Sequence, residues 1–291
     1  MNPKIVAGIV LYNPELSRLE QNLKHISPQV DHLYLADNGS ENLSAVQSFL
    51  SSFKKVSLIP LGENKGIAAA LNACMEMAGK DGFEWVITLD QDSVCEENLV
   101  SAYLSQIKQK NVAIFTPVIL YEKKGEALPL PESDEPFTEV DRCITSAGMT
   151  LVKAWKEIGG FDERLFIDYV DYDFCIRLKK CGYRILRVNS VCLHQQLGRA
   201  DEVDFLENLG KLLHIKRLQK KIYVYNHSPM RTYYYARNSA YYIRKYAGDL
   251  SDLRREKHEV KHWLMMKVLF EKQKCAKIGA IVRGRRDSKK L

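Results

Sequence analysis

Apolar residues along the first half of the chain follow two alternating rhythms. Short, nearly continuous apolar runs at residues 5–11, 32–36, 56–60, 85–89 and 112–118 read as buried strands. Between them, residues 16–25, 43–52, 67–78 and 98–108 carry the three-to-four-residue apolar spacing of amphipathic helices. Strand and helix in strict alternation predict an α/β fold, a mostly parallel sheet flanked by helices, with ligands gathered at the carboxyl ends of the strands. Residues 121–140 (YEKKGEALPLPESDEPFTEV) break the rhythm with Pro and charge, and read as a long surface excursion before the chain re-enters the core at Ile144. A helix starting near Val170, a strand-like run at 184–193 and helical spacing at 205–213 and 233–246 complete the pattern.

Charge divides the 291 residues unevenly. Residues 211–291 hold 22 Lys+Arg against 6 Asp+Glu, whereas the first 210 hold 21 against 30. This predicts an α/β domain over 1–210 and a basic, Tyr/Arg-rich helical region over 211–291, with Tyr233, Tyr234, Tyr235, Tyr241, Tyr242 and Tyr246 set among Arg231, Arg237, Arg244 and Lys245. Such a region suits nucleic acid, an anionic membrane surface or a phosphorylated substrate, or is simply a solvated helical face. No run of 18 apolar residues exists, so it can lie on a membrane but not cross one. The opening MNPKIVAGIVLYNP reads as a first strand, being too short to span a membrane and lacking a small-residue cleavage site. Seven scattered cysteines with no C-x-x-C pair point to a reduced, cytoplasmic protein.

The candidate chemistry sits where apolar runs end. In WVITLDQDS, Asp90 and Asp92 are spaced i, i+2, so in an extended chain both face one way, one able to reach a sugar hydroxyl and the other a hard divalent cation. The plainer reading is that both cap a helix beginning near Glu96. Asp37-Asn38-Gly39-Ser40 follows the second strand, and Asn64-Lys65-Gly66 opens a helix whose free N–H groups can face an anion. Neither G-x-G-x-x-G nor G-x-x-x-x-G-K-[ST] occurs, which counts against dinucleotide redox chemistry and P-loop hydrolysis. In FIDYVDYDFCIRL, Asp168, Asp171 and Asp173 lie among large apolar residues that favour a raised pKa and a general-base role. Against that, Asp168 and Asp171 can cap a helix while Asp173 pairs with Arg177 at i, i+4. His194 ends the strand-like run, where a neutral imidazole completes a metal site with Asp92 or is merely structural.

Taken in order, IVAGIVLYNP, LADNGS, ENKGIAAALN, WVITLDQDS, SAGMTLV, GGFDERLFIDYVDYDFCIRLKKCGYRI and HSPMRTYYYARNSAYYIRKY resemble glycosyltransferase family 2, and within it the bacterial L-rhamnosyltransferases, over nearly the whole chain. The resemblance implies a GT-A fold with a nucleotide half and an acceptor half. It implies that Asp37 contacts the nucleobase, Asp90 the ribose or metal, Asp92 the metal, His194 the metal or diphosphate, and Arg231 and Arg237 the donor diphosphate, beside a donor loop at Asn64 and Gly66. Asp171 is the implied base, with Asp168 as its rival because Val170 stands where many relatives carry a second acid; Asp168 and Asp173 otherwise support the acceptor side. The implied reaction is inverting transfer of L-rhamnose from dTDP-L-rhamnose, aided by Mg2+ or Mn2+, to a polyprenyl-diphosphate-linked surface glycan or O-antigen precursor on the inner face of the cell membrane. Absence of Q-x-x-R-W argues for adding one sugar rather than a polymer. Alternative donors are UDP-galactofuranose or a UDP-N-acetylhexosamine. The far alternative is a non-catalytic basic module binding membrane or RNA, whereas the transferase reading expects no nucleic acid partner.

Overall fold

The computed structural model describes residues 3–121, 133–195, 201–203, 214 and 222–291. Most of the excursion at 121–140 and the helical spacing at 205–213 therefore lie outside the described residues. The chain forms two compact units, one of Met1–Phe166 with Val170–Gln196, the other of Ile167–Tyr169 with Leu197–Leu291.

The first unit is built on a nine-stranded sheet of order β3-β2-β1-β4-β8-β6-β9-β5, with β7 also on β9. Its strands are β1 (Ile5–Leu11), β2 (His32–Asp37), β3 (Val56–Pro60), β4 (Trp85–Asp90), β5 (Val94–Cys95), β6 (Val112–Tyr121), β7 (Phe137–Glu139), β8 (Gly148–Leu151) and β9 (Arg184–Gln195). The expected parallel arrangement holds for β3-β2-β1-β4. Beyond it the sheet is mixed, because β8 enters antiparallel between β4 and β6 and both β5 and β7 run antiparallel to β9. The end of the Pro-rich excursion is thus the short strand β7 rather than loop.

Helices α1 (Leu16–Ile26), α2 (Leu43–Leu50), α3 (Ile67–Lys80), α4 (Leu99–Ser105), α5 (Val152–Glu157) and α6 (Val170–Lys180) connect the strands. Pleating sends alternate side chains of β1 to one face, so Ile5, Ala7, Ile9 and Leu11 join Leu19, Leu23 and Ile26 of α1, Val46 of α2 and Tyr103 of α4 in one core. Tyr103 brings a polar group into that core and satisfies it, its hydroxyl donating to the Ala147 carbonyl at 2.6 Å. Helix α4 is shorter than its spacing predicts, starting at Leu99 and ending at Ser105.

The second unit pairs β10 (Asp201–Val203) with β11 (Ile222–Val224) and contains helices α7 (Pro229–Lys245), α8 (Leu253–Phe270) and α9 (Lys274–Asp287). Ser228 caps α7, accepting from the Arg231 N–H, with Pro229 in the first turn where its missing donor is harmless. Gly284 lets α9 lie close on α7, since a Cβ there would sit 2.5 Å from the Tyr233 carbonyl oxygen. Tyr241, Tyr242 and Tyr246 are buried, so half of the tyrosine cluster is core rather than surface.

Candidate functional site

The register of the parallel strands sets the carboxyl edge. Leu11 pairs with Asp37, Asp37 with Pro60, and Val10 with Asp90, which brings Asp37 and Asp90 to neighbouring strand ends on either side of β1. Asp37 is fully buried, and its Oδ2 accepts from the N–H groups of Gly39 (3.2 Å) and Ser40 (3.1 Å). Its Oδ1 is buried without a protein hydrogen-bond partner among the described residues. A buried carboxylate oxygen left in that state costs free energy unless a ligand donor meets it.

The next loop is tied to this one. Asn38 Oδ1 accepts from the Lys65 N–H at 2.9 Å and Asn38 Nδ2 donates to Asn64 Oδ1 at 3.0 Å. Gly66 N–H also donates to Asn64 Oδ1 (3.1 Å), and Ile67 N–H donates to the Phe166 carbonyl (2.7 Å). The N–H groups of Lys65, Gly66 and Ile67, at the entry to α3, are therefore engaged by protein acceptors. Gly66 has φ +88°, and a Cβ there would fall 2.7 Å from the Phe166 backbone, so the loop needs glycine on both counts.

Asp90 is half-buried and Asp92 exposed. The loop between them is fixed by its main chain: Asn22 Nδ2 donates to the Asp90 carbonyl (2.7 Å), an Arg18 guanidinium N–H to the Asp92 carbonyl (3.2 Å), and Ser146 Oγ accepts from the Asp90 N–H (3.4 Å). Gln91, the residue between the two acids, accepts from Tyr12 N–H at 2.8 Å and donates to the Tyr12 carbonyl at 3.2 Å, joining the ends of β1 and β4. Both Asp carboxylates are hard oxygen donors at one strand end, which fits a divalent cation of the Mg2+ or Mn2+ type.

Asp171 lies in the first turn of α6 and accepts from the Tyr172 N–H. It lines a small pocket with Cys143, Thr145, Thr150, Phe161 and Cys175. Phe174 and Leu178 are buried behind it, as the helical spacing predicts. Asp173, in contrast, is 1% exposed and bound to Arg177 Nε at 2.7 Å; Arg177 also donates to the carbonyls of Ile158 and Gly160. This is the i, i+4 pairing, a structural role. Asp168 belongs to the other unit, where it pairs with Arg231 at 3.1 Å. Its backbone is left-handed, as is that of Phe166 and Tyr169, and Asn238 Nδ2 holds the carbonyls of Ile167 and Asp168. Arg237 donates to Asn238 Oδ1 at 2.9 Å and lies over the Tyr234 ring at 4.8 Å, so both arginines are engaged within their own unit.

His194 stands opposite Val94 on β9, half-buried, with Nδ1 lacking a hydrogen-bond partner among the described residues. The side chains grouped with it are Glu96 and Cys192, not Asp92. Burial and the neighbouring Glu96 carboxylate push the Cys192 thiol up to about 12. Neither Glu96 nor Cys192 is signalled by the sequence, because a contact across 96 positions leaves no local pattern.

Comparison with known proteins gives the family and the fold. The family described as Glycosyl transferase family 2 matches residues 7–170. The chain is 29% identical to the dTDP-rhamnosyl transferase RfbF of Shigella flexneri, over 84% of this chain and 81% of that protein. It is 24% identical to the amylovoran biosynthesis glycosyltransferase AmsE of Erwinia amylovora, over 65% and 75%. Two solved structures share the fold: S. aureus TarS 1-349 in complex with UDP-GlcNAc, with a TM-score of 0.59 and 15% identity over 98% of this chain and 80% of that one, and GalNAc-T7 with UDP, GalNAc and Mn2+, with a TM-score of 0.57 and 14% identity over 92% and 56%. With half of the chain and more matched by the family, and the acids of its GT-A-type sheet brought to one edge, the chain belongs to glycosyl transferase family 2.

Proposed function

We propose that the protein is an inverting glycosyltransferase that moves L-rhamnose from dTDP-L-rhamnose to a surface-glycan precursor carried on polyprenyl diphosphate. The observation that carries the donor is the similarity to a dTDP-rhamnosyl transferase along 84% of the chain. The buried, unmatched Oδ1 of Asp37 supports the nucleotide half, because the imide N–H of thymine supplies the donor that this oxygen lacks. Asp90 takes the ribose or the cation, Asp92 the cation, and His194 is the third candidate ligand. When bound, Mg2+ or Mn2+ offsets the charge that builds on the departing nucleoside diphosphate. Asp171 accepts the proton of the acceptor hydroxyl as that oxygen attacks the anomeric carbon from the face opposite the leaving group, converting a β-linked donor to an α-L-linkage. Arg231 and Arg237 supply positive charge for the donor diphosphate.

The second unit suits a membrane-borne acceptor. Among the described residues no helix is long and apolar enough to cross a membrane. Lys261, Met265 and Leu269 follow one another at four-residue spacing along α8 and are all exposed, as are Ile278 and Val282 of α9 among lysines and arginines. On this reading the protein works at the cytoplasmic face of the membrane. A donor-hydrolysis screen tests the central reading: release of dTDP from dTDP-L-rhamnose, well above release of nucleotide from UDP-galactofuranose or UDP-N-acetylhexosamines, is the expected result. Preference for either UDP donor would replace rhamnose in the assignment.

A further inference from the structure

Strand β5 and residue Glu96 continue one antiparallel register against β9. Val94 faces His194 and Cys95 faces Leu193, which sets Glu96 against Cys192. Cys192 and His194, spaced i, i+2, emerge on one face of β9, opposite the face on which Leu193 enters the main core. Three different ligand atoms meet there. Glu96 Oε1 lies 3.1 Å from Cys192 Sγ, and His194 Nε2 lies 3.4 Å from the same sulfur, with all three ligand atoms within 4.8 Å of one another. The second carboxylate oxygen of Glu96 accepts the Cys192 N–H at 3.0 Å, which fixes the direction of the carboxylate.

The two separations to sulfur come close to the edges of a coordination polyhedron. Zinc bonds of about 2.0–2.3 Å to oxygen, nitrogen and sulfur at tetrahedral angles give ligand-to-ligand edges of about 3.3–3.6 Å, close to the two sulfur edges observed. A thiolate, an imidazole and one carboxylate select a borderline-soft ion such as Zn2+ over Mg2+, which prefers oxygen and octahedral geometry. We infer that Glu96, Cys192 and His194 form a binding site for Zn2+ or a similar soft divalent ion, one that shares His194 with the proposed donor-cation site but differs from the Asp90/Asp92 edge in metal preference. On binding, the Cys192 S–H proton leaves to solvent and a metal–thiolate bond replaces it, with no change of oxidation state.

The site has a consequence for transfer that rests on the proposed role of His194. An imidazole Nε2 committed to the Glu96–Cys192 site is withdrawn from the cation that accompanies the donor. Soft metal at this position therefore inhibits Mg2+-supported transfer.

Titration of the reduced, metal-free full chain with Co2+ reads the site without any donor. A thiolate-to-Co2+ charge-transfer band in the near ultraviolet, saturating at one equivalent, is expected. It should vanish in Cys192→Ser, weaken at least tenfold in affinity in Glu96→Gln, and survive in Cys181→Ser and Cys275→Ser, which alter the exposed thiols. Absence of the band, or its persistence in Cys192→Ser, overturns the site. If Cys192→Ser fails to fold, Glu96→Gln decides alone: unchanged Co2+ affinity there is equally fatal. With Mg2+ saturating, Zn2+ should inhibit the wild type and leave Cys192→Ser active. A Co2+ band without Zn2+ inhibition keeps the metal site and removes only the assigned role of His194.

Discussion

Asp92 is the residue whose removal separates binding chemistry from folding most cleanly. Asp92 is exposed and the loop that carries it is held through main-chain groups by Asn22, Arg18, Gln91 and Ser146, none of which uses the Asp92 carboxylate. Asp92→Ala should therefore abolish metal-dependent transfer while changing stability by only about 0.5 kcal/mol or less; near-wild-type turnover at saturating donor, with the melting temperature recorded alongside, would sink the metal role. The candidate base is tested one turn away from its rivals. Asp171→Asn should retain donor affinity by calorimetry and lose roughly 10²–10⁴ in turnover, the usual range for a general base. Asp168→Asn removes instead the partner of Arg231, so it should act on donor affinity and on the second unit's stability. A dead Asp168→Asn enzyme with unaltered donor binding would move the base to Asp168.

At the scale of elements, α6 and the α7–α9 group each depend on buried charge. Asp173 and Arg177 fasten α6, with Asp173 almost completely buried and Arg177 also satisfying two carbonyls that precede the helix. Arg177→Ala removes the ion-pair partner of that buried carboxylate and the donor to both carbonyls, and should cost about 3–5 kcal/mol, measurable as a shift in the denaturant midpoint at unchanged slope. In the helical unit, Lys277 Nζ meets Glu271 at 2.5 Å and Lys267 Nζ meets His227 Nδ1 at 2.5 Å. Burial, reinforced by the positive charges of Lys267, Arg231 and Lys277, holds His227 down at about 3. A base with a folded pKa below its unfolded value binds more protons when unfolded, so its contribution to stability is full above about 6.5 and falls as pH drops toward about 3. Replacing His227 with Gln should flatten the loss of stability between pH 6.5 and 5, where few carboxylates titrate; an identical pH dependence in both proteins would remove His227 as the cause.

Elements of this kind also mark how far the sequence could be read. The strands β1 to β4 and helices α1 to α3 were legible because each is long enough to show its period and is bounded by turn residues. Strand direction is not written in side-chain alternation, so the antiparallel entry of β8 was not legible. Strands β5 and β7, of two and three residues, are too short to carry a period at all. Pairing at i, i+4 made Asp173–Arg177 visible beforehand, whereas Asp168–Arg231 and Glu96–Cys192 are contacts across 63 and 96 positions and could only be seen once the chain was folded.

For the molecule as a whole, the uneven charge is the feature that a sheet-edge site does not explain. Residues 211–291 carry a balance of +16, and burial of Lys267 and Lys277 together with Glu256 and Glu271 removes equal numbers of each sign, so that balance reaches the surface undiminished. What remains exposed still includes Lys257, Lys261, Lys272, Lys274, Arg283, Arg285, Arg286, Lys289 and Lys290, mixed with Trp263, Met265, Leu269, Ile278 and Val282. Each cation near an anionic leaflet contributes about 1 kcal/mol at most, and the attraction decays over a Debye length of roughly 8 Å at physiological salt. Docking on that basis is reversible and salt-sensitive. The competing use for this charge is to hold the donor diphosphate, through Arg231 and Arg237. Liposome sedimentation separates the two: the membrane reading requires co-sedimentation with anionic but not neutral vesicles, falling as salt rises and falling again when Lys261 and Leu269 are both changed to Glu. The donor reading requires that Arg231→Ala lose donor affinity while still pelleting. If the wild type stays in the supernatant with anionic vesicles at low salt, the basic unit serves the nucleotide sugar alone and the acceptor must be presented to the enzyme in some other way.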